Sequence, residues 1–346
     1  MTQTLSIPKS SHLTLPKRGM PVTIITGFLG SGKTTLLNHI LTNNQQLKVA
    51  VLVNEFGDID IDSQLLVSVD ENMVALSNGC ICCTINDNLV EAVYQILEQA
   101  DKIDYLILET TGVADPLPIA LTFINTELRD MTRLDSILTV VDAETFTPEH
   151  FESEAALRQI IYGDIILLNK TDLVDQEKLK ILEEELNRIK SGARIIHSQH
   201  SQVPLPLILD IDVNNHQNYC TEHITDHHHH DHHHEHDHRH HHDHHHHDHD
   251  HLTIDGFVSI SFESDRPFIV EKFQNFLVDD VMINVFRAKG IIWFKESQLR
   301  HIFQLSGKRY DMNADQWITS PRNQLVFIGR NLDKEMLTKQ LNQCLA

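Results

Sequence analysis

The segment at residues 21–41 restricts the fold of this chain more than any other part of the sequence. It reads PVTIITGFLGSGKTTLLNHIL, in which a short β-branched run leads into GFLGSGKT (27–34) and a helix-like stretch follows. GFLGSGKT fits the pattern G-x-x-x-x-G-K-[ST], which requires a strand before it and a helix after it. The segment therefore predicts a phosphate-binding loop. Its glycine spacing, G-x-x-G-x-G, differs from that of a dinucleotide-binding fingerprint.

Each residue type in this loop suits contact with a nucleoside triphosphate. Gly27, Gly30 and Gly32 allow the tight turn that lets backbone N–H groups face the phosphates. Lys33 supplies a positive charge for the β- and γ-phosphate oxygens, and Thr34 offers its hydroxyl to Mg²⁺. The positive end of the helix dipole adds to the attraction for phosphate.

The rest of the N-terminal half alternates between apolar runs and helical patterns. Runs rich in Val, Ile and Leu recur at 48–54, 105–110, 136–143, 164–170 and 194–198. Helix-like stretches lie between them, for example at 87–100 and 176–190. Strands that are apolar along their whole length and alternate with helices are typical of a parallel sheet covered on both faces. We therefore predict an α/β P-loop domain with a mainly parallel sheet.

The pattern changes near residue 200, where prolines interrupt the sequence and a His/Asp-rich run follows. Strand-like runs return at 256–264, 287–294, 300–307 and 323–330, with helix-like stretches at 267–278 and near the end of the chain. These patterns predict a second, smaller α+β domain. The predicted organisation is a polar tail (1–20), the P-loop domain (21–200), a linker (201–255) and the α+β domain (256–346).

Two further motifs stand at the ends of predicted strands. LILETTG (106–112) is an apolar run that ends in Glu109, which could hold Mg²⁺ or its water, and in Gly112, where the backbone could approach a γ-phosphate. NKTD (169–172) follows the run DIILL. Either motif alone could be an ordinary strand end or helix-capping turn, but both follow a P-loop, which favours the functional interpretation.

NKTD at the tip of a late strand predicts a site for guanine. The carboxylate of Asp172 can accept hydrogen bonds from both N1 and N2 of guanine, which adenine does not provide. Asn169 can help to hold the site, and the aliphatic stem of Lys170 can cover the base. GTP is therefore the expected nucleotide.

Three of the five cysteines lie within SNGCICCTIND (77–87), directly before a helix-like stretch. Cys80, Cys82 and Cys83 have the spacing at which two thiolates reach one metal ion, with a third donor beside them. The start of a helix lowers the pKa of a thiol and favours the metal-binding thiolate. Three soft donors suit Zn²⁺, Cu⁺ or Co²⁺. A redox pair or packing cysteines are the alternatives, and adjacent cysteines would form a strained disulfide.

Residues 226–251 hold 18 of the 26 histidines and seven carboxylates. This run has no apolar periodicity and is predicted to be a disordered segment. Near pH 7 most imidazoles are neutral and can bind metals such as Zn²⁺, Ni²⁺ and Cu²⁺. We interpret His227–His251 as a low-specificity metal reservoir. The alternative is a solvated linker with weak metal selectivity.

Composition excludes some classes of partner. The formal net charge of −21 makes nucleic acid an improbable main partner, because phosphates would be repelled. No apolar run approaches the roughly 18 residues of a membrane span, and the N-terminus has no apolar signal region. A cytoplasmic location without membrane attachment is the expectation.

The chain contains, in this order, the motifs GFLGSGKTTLLNHIL, VNEFGDIDID, NGCICC, ETTGVADP and NKTD. Together they resemble the motifs of the CobW family of P-loop GTPases. The C-terminal part, with RAKGIIWF, resembles the C-terminal domain of that family. The resemblance covers residues 20–340 and implies a GTPase that carries zinc or cobalt to a client metalloprotein. It implies catalytic roles for Lys33, Glu109 and Gly112, and Mg²⁺ binding by Thr34 and Glu109. It assigns Cys80, Cys82 and Cys83 to the transported metal. The expected nucleotide-binding residues are Gly27, Gly30, Ser31, Gly32, Lys33, Thr34, Thr35, Asn169, Lys170 and Asp172.

Three functions remain open from the sequence. Zinc delivery by a GTP-hydrolysing metallochaperone is favoured, because thiolates and imidazoles both suit zinc. Cobalt delivery for cobalamin synthesis is the second interpretation, and a metal buffer with a regulatory nucleotide site is the third. The client, the oligomeric state and a fourth metal ligand are not specified by the sequence, although Glu55 and Asp58 are candidate ligands.

Overall fold

The computed structural model describes residues 19–43, 47–53, 73–75, 87–98, 103–147, 153–210 and 257–346. Within these residues the N-terminal domain contains a seven-stranded sheet in the order β3-β2-β4-β1-β5-β6-β7, and every neighbouring pair is parallel. The strands are β1 (Met20–Gly27), β2 (Val49–Val53), β3 (Met73–Ala75), β4 (Tyr105–Glu109), β5 (Thr132–Asp142), β6 (Ile165–Asn169) and β7 (Ile195–His197). The predicted parallel α/β fold is confirmed.

The helices of this domain connect successive strands. They are α1 (Lys33–Thr42), α2 (Asp87–Leu97), α3 (Pro116–Asn125), α4 (Glu154–Tyr162), α5 (Gln176–Ile189) and the short α6 (Leu205–Ile208). Side chains accept hydrogen bonds from the first free N–H groups at three of these helix starts, namely Asp115 for α3, Ser153 for α4 and Asp175 for α5.

The two faces of the sheet carry different partners, because successive side chains of a strand point to opposite sides. On one face, Val22 and Ile24 of β1 belong to a buried cluster with residues of α2 and α3. On the other face, Ile25 packs with α1, with the segment around Leu207, and with Phe286 of the C-terminal domain. The second domain therefore covers part of the sheet.

The C-terminal domain is an antiparallel sheet with two helices, as predicted for an α+β unit. Its strand order is β11-β10-β9-β12-β8. The elements are β8 (Phe257–Ser264), α7 (Val270–Leu277), β9 (Val285–Trp293), β10 (Arg300–Ser306), β11 (Arg309–Asp315), β12 (Asn323–Arg330) and α8 (Lys334–Cys344). Phe268, Phe273, Phe303 and Phe327 are fully buried in its core. No helix in the described part of the chain is long and apolar enough to cross a membrane.

Residues 201–210, which the sequence assigns to the linker, pack against both domains. Val203, Leu205, Leu207, Ile208 and Leu209 are buried in the cluster that joins the sheet to the C-terminal domain. Two prolines in this stretch precede or begin the single turn of α6 and do not prevent its burial. The rest of the predicted linker lies outside the described residues.

A buried group of charged side chains joins the two domains beneath the sheet. Tyr105 donates to Asp135 Oδ2 at 2.5 Å, and Arg287 of the C-terminal domain donates to Asp135 Oδ1. Arg133 donates to Asp210 Oδ2 at 2.6 Å. Burial opposes the charge of Arg287, but Asp135, Tyr105 and Asp210 together more than offset this, so the pKa of the guanidinium is raised. The domains are therefore held by an ion pair as well as by apolar packing.

Candidate nucleotide-binding site

The predicted phosphate-binding loop joins β1 to α1. Gly27 is the last residue of β1, and Gly32 is the N-cap of α1, with a left-handed φ of 105°. The side chain of Lys33 is nearly buried, and its Nζ donates to Phe28 O across the loop at 3.2 Å. Gly30 and Thr35 are exposed. The backbone thus forms an open turn at the start of a helix, where an anion is favoured.

Gly32→Ala is expected to weaken GDP binding by at least about tenfold, equivalent to about 1.4 kcal/mol. A Cβ at this position would lie 2.5 Å from Asn169 Nδ2 and 3.0 Å from Ser201 Oγ, so the loop would have to move. Gly30→Ala is the matched control, because Gly30 also has a positive φ but nothing lies within 4 Å of its added Cβ. Isothermal titration of both variants with GDP measures the difference. Equal losses would mean that backbone strain alone, and not the clash, controls binding.

Thr34 and Glu109 meet at the carboxyl end of the central strands. Thr34 Oγ1 donates to Glu109 Oε1 at 2.9 Å, and Glu109 is 1% exposed at the end of β4. Ser31 Oγ is buried nearby on the same loop and has no hydrogen-bond partner among the described residues. The Thr34 hydroxyl and the Glu109 carboxylate, in contact with each other, are hard oxygen donors of the kind that Mg²⁺ prefers. The residues present therefore fit a magnesium ion.

Gly112 lies directly against the phosphate-binding loop. A Cβ on Gly112 would lie 2.7 Å from Leu29 N and 2.6 Å from Leu29 Cδ2. Only a glycine allows the loop after β4 to approach the backbone at 27–34 this closely. The structure thus brings Gly112, Glu109 and Lys33 to one edge of the sheet.

Asn169 is held by four hydrogen bonds. Its Nδ2 donates to Ser31 O at 3.0 Å and to Ser201 Oγ at 3.0 Å. Its Oδ1 accepts from Ser198 Oγ at 3.0 Å and from Ser201 N at 2.8 Å. With both N–H groups and both oxygen lone pairs of its amide in hydrogen bonds, Asn169 acts as a tether between the segments that it contacts. Asn169 therefore connects the phosphate-binding loop to the segment after β7.

Lys170 and Asp172 lie beside this tether. Lys170 has a left-handed φ of 60°, and its Nζ pairs with Asp142 Oδ2 at 2.7 Å. Burial opposes the ionisation of Asp142, but hydrogen bonds from Lys170, Thr145 and the Glu144 N–H hold its pKa below the ordinary value. Asp172 is exposed at the same end of the sheet. The ion pair fixes the stem of Lys170, while the carboxylate of Asp172 faces solvent.

Sequence reasoning did not assign Asp142, Ser198 or Ser201 to the site. Asp142 is the last residue of β5, near the end of the run SILTVVDA, and this place at a strand tip is a signal that could have identified it. Ser198 and Ser201 stand in a turn where His200 and Ser201 have positive φ angles. Nothing in the letters SQHS predicts that turn, because these residues rarely adopt this conformation.

The predicted metal ligands lie outside the described residues. These are Cys80, Cys82, Cys83, the His227–His251 run and the candidate ligands Glu55 and Asp58. Their flanking elements are described, since β3 ends at Ala75 and α2 begins at Asp87. Across β3, β2 and β4, Ala75 pairs with Val51, and Val53 pairs with Glu109. Among the described residues no group of three or more His, Cys, Asp or Glu side chains could hold a metal.

Two family models match the chain. The model described as the CobW/HypB/UreG nucleotide-binding domain matches residues 21–197, and the cobalamin synthesis protein cobW C-terminal domain matches residues 257–345. The two matches correspond to the two domains seen in the structure.

Curated relatives align over nearly the whole chain. A zinc chaperone YjiA of Escherichia coli is 32% identical, over 91% of this chain and 95% of the relative. A zinc chaperone CobW of Pseudomonas aeruginosa is 31% identical, over 94% of this chain and 92% of the relative. A zinc-regulated GTPase metalloprotein activator 1 of Dictyostelium discoideum is 30% identical, over 94% of this chain and 80% of the relative. A crystal structure of the zinc-bound YjiA GTPase from E. coli is 29% identical, covering 95% of this chain and 100% of that one, with a TM-score of 0.45.

Proposed function

The chain belongs to the CobW/HypB/UreG family of P-loop GTPases, and from this premise we propose that it is a GTP-hydrolysing metallochaperone that carries zinc to a client metalloprotein. The observation that carries the proposal is the meeting of the nucleotide motifs at one edge of the sheet. There, Thr34 contacts Glu109, Gly112 packs on Leu29, and Asn169 ties the phosphate-binding loop in place.

In this proposal Lys33 and the loop backbone hold the β- and γ-phosphates of GTP. Nucleotide entry breaks the contact between Lys33 Nζ and Phe28 O, which releases the ammonium group for the phosphate oxygens. Thr34 and Glu109 would hold Mg²⁺, and the bound ion would neutralise charge that develops on the phosphates. Gly112 lets the backbone approach the γ-phosphate.

The base is selected as guanine by Asp172, in the same proposal. Asp172→Asn is expected to weaken GDP binding by about 10- to 100-fold, because an amide does not accept from both N1–H and N2–H. The same variant is expected to gain affinity for xanthosine diphosphate, whose carbonyl at C2 accepts from the new amide group. Competition of each nucleotide against a fluorescent GDP measures both effects.

The control for this experiment is Glu177→Gln, which changes an exposed carboxylate on the nearby helix α5. Turnover of GTP and ATP by the wild-type chain, followed as released phosphate with and without zinc, tests the activity itself. Faster hydrolysis of ATP than of GTP, or an unchanged GDP affinity in Asp172→Asn, would contradict the assignment of the nucleotide.

The proposed zinc ligands are Cys80, Cys82 and Cys83. They follow Ala75, the end of β3, by five to eight positions, and β3, β2 and β4 are parallel neighbours. The chain therefore leaves β3 at the same sheet edge at which β4 presents Glu109. The end of β3 and the end of β4 thus lie at one edge of the sheet. This arrangement supports a zinc site whose affinity depends on the bound nucleotide.

The His227–His251 run is proposed to act as a reservoir that raises the local zinc supply to these cysteines. Deletion of 226–251 would then lower the number of zinc ions bound per chain and leave the tight site intact. Two outcomes favour the other functions. Preference for Co²⁺ at the cysteines would support cobalt delivery, and many bound metals with negligible GTP turnover would support metal storage.

A further inference from the structure

Gln159 has a buried amide side chain that lies beside the candidate nucleotide site and belongs to none of its motifs. It stands on α4 and is 1% exposed. Its Nε2 donates to Gly112 O at 3.2 Å and to Ala114 O at 3.1 Å. Both N–H groups of the amide are therefore directed to the loop that follows Glu109. A buried amide is costly unless it is hydrogen-bonded, so these two contacts account for a polar residue at a core position.

The backbone of Gln159 is fixed to the sheet. Thr139 Oγ1 of β5 donates to Gln159 O at 2.6 Å. Gly163, at the end of α4, also lies against Thr139, since an added Cβ would be 2.2 Å from Thr139 Oγ1. Ile160, the next residue, is buried in the core between α4, α5 and the sheet. The amide is thus carried by a helix that is hydrogen-bonded to β5 and packed against the sheet, which gives the loop a defined anchoring point.

The contacts of Gln159 determine how the loop faces the phosphate-binding loop. A peptide group is planar and trans, so its C=O and N–H point in opposite directions. Because Gly112 O is directed at α4, the N–H of Val113 is directed away from α4. Gly112 itself packs on Leu29 of the phosphate-binding loop. The amide therefore sets the orientation of a backbone N–H at the place where the loop meets the phosphate-binding loop.

We infer that Gln159 is a positioning residue that holds the Gly112–Ala114 loop in the orientation that recognises the γ-phosphate of GTP. The inference rests on the proposed GTP hydrolysis. It predicts different effects on the binding of GTP and of GDP, because GDP has no γ-phosphate and does not need this orientation of the loop. Loss of Gln159 is therefore expected to affect GTP and leave GDP binding unchanged.

Gln159→Leu replaces the amide by an apolar side chain of similar size. We expect its kcat for GTP to fall at least about tenfold. Affinity for a non-hydrolysable GTP analogue should also fall, whereas the Kd for GDP should stay within about twofold of the wild-type value. The measurements are phosphate release with the full chain and titration with the analogue and with GDP, all in Mg²⁺.

Ile160→Val is the matched control for a purely structural role. It removes one methyl group from the neighbouring buried position on α4, whose side chain has no hydrogen-bonding group for the carbonyls of Gly112 and Ala114. If Ile160→Val lowers kcat as much as Gln159→Leu at a comparable loss in Tm, Gln159 only fills the core and the inference is wrong. An equal loss of GDP and GTP-analogue affinity in Gln159→Leu would overturn it as well.

Gln159→Glu gives a readout that packing alone does not produce. A buried carboxyl facing two carbonyl oxygens is expected to have a raised pKa, and its protonated form can donate one hydrogen bond. Turnover of this variant relative to wild type should therefore rise as pH falls from about 8 to about 6. A ratio independent of pH would contradict the inference. If the wild-type chain fails to hydrolyse GTP, the proposed function fails, while the comparison of GDP with the GTP analogue still decides the role of Gln159.

Discussion

Replacing Cys82 and Cys83 by serine is expected to weaken zinc binding by about three orders of magnitude or more, which corresponds to about 4 kcal/mol. A serine hydroxyl remains protonated near neutral pH and is a poor zinc ligand, whereas a thiolate forms a strong bond to the ion. GDP affinity should change little, because the proposed nucleotide contacts come from the phosphate-binding loop and from 169–172. Competition with a chromophoric zinc chelator, in reducing buffer, measures the loss.

Cys220→Ser is the control for this experiment, because Cys220 is isolated in the sequence. Cys344 is unsuited to zinc, since it is buried in the C-terminal core and burial raises the pKa of its thiol to about 11. If the double serine variant keeps the wild-type zinc affinity and still binds GDP, Cys82 and Cys83 are not zinc ligands.

Asp135→Ala is expected to destabilise the chain by about 3–5 kcal/mol, because it leaves the buried guanidinium of Arg287 without its charged partner. The side chains of Arg287 and Asp135 are 8% and 3% exposed, and the hydroxyl of Tyr105 also loses its acceptor. The effect should be seen as a lower urea midpoint and as weaker association between the two domains. Urea unfolding followed by circular dichroism gives the difference in free energy of unfolding.

An exposed ion pair on the same protein provides the comparison. Arg322 pairs with Glu263 and Asp265, whose side chains are 51% and 85% exposed. Asp265→Ala should change the free energy of unfolding by less than about 1 kcal/mol, because exposed pairs are screened by water. A loss below about 1 kcal/mol in Asp135→Ala would mean that the pair between Asp135 and Arg287 contributes little to holding the domains together.

The parallel sheet and the P-loop could be predicted because both depend on local patterns. Continuous apolar runs define the strands, and the spacing of Gly27, Gly32 and Lys33 defines the loop. The family assignment was also confirmed over both domains. Strand β11 and helix α3 were missed. β11 is an exposed edge strand, RYDMNAD, whose alternation is weak, and α3 begins with PLP, which resembles a loop.

The contacts that complete the candidate site could not be predicted, since they join residues far apart in the chain. Asn169 contacts Ser31 and Ser201, and Gln159 contacts Gly112, which lies 47 positions earlier in the chain. Sequence identifies such residues only when they belong to a known motif. Gln159 does not, and its role follows from its burial and from the two carbonyl groups that it contacts. The packing of residues 201–210 could not be predicted for the same reason. Their apolar residues show no regular period, and they are buried only because both domains pack against them.

If the bound nucleotide sets the affinity for zinc, as we propose, the zinc Kd should differ between chain loaded with Mg²⁺ and a GTP analogue and chain loaded with Mg²⁺ and GDP. Chelator competition should be carried out on the reduced chain 1–346 and on the same chain lacking 226–251, so that zinc bound by the proposed reservoir is distinguished from zinc bound at the cysteine site. We expect tighter zinc binding in the GTP-like state, with about 1.4 kcal/mol of coupling for each tenfold difference in Kd. Equal affinity in the two states would contradict nucleotide-controlled delivery and would favour a metal store with an independent GTPase site.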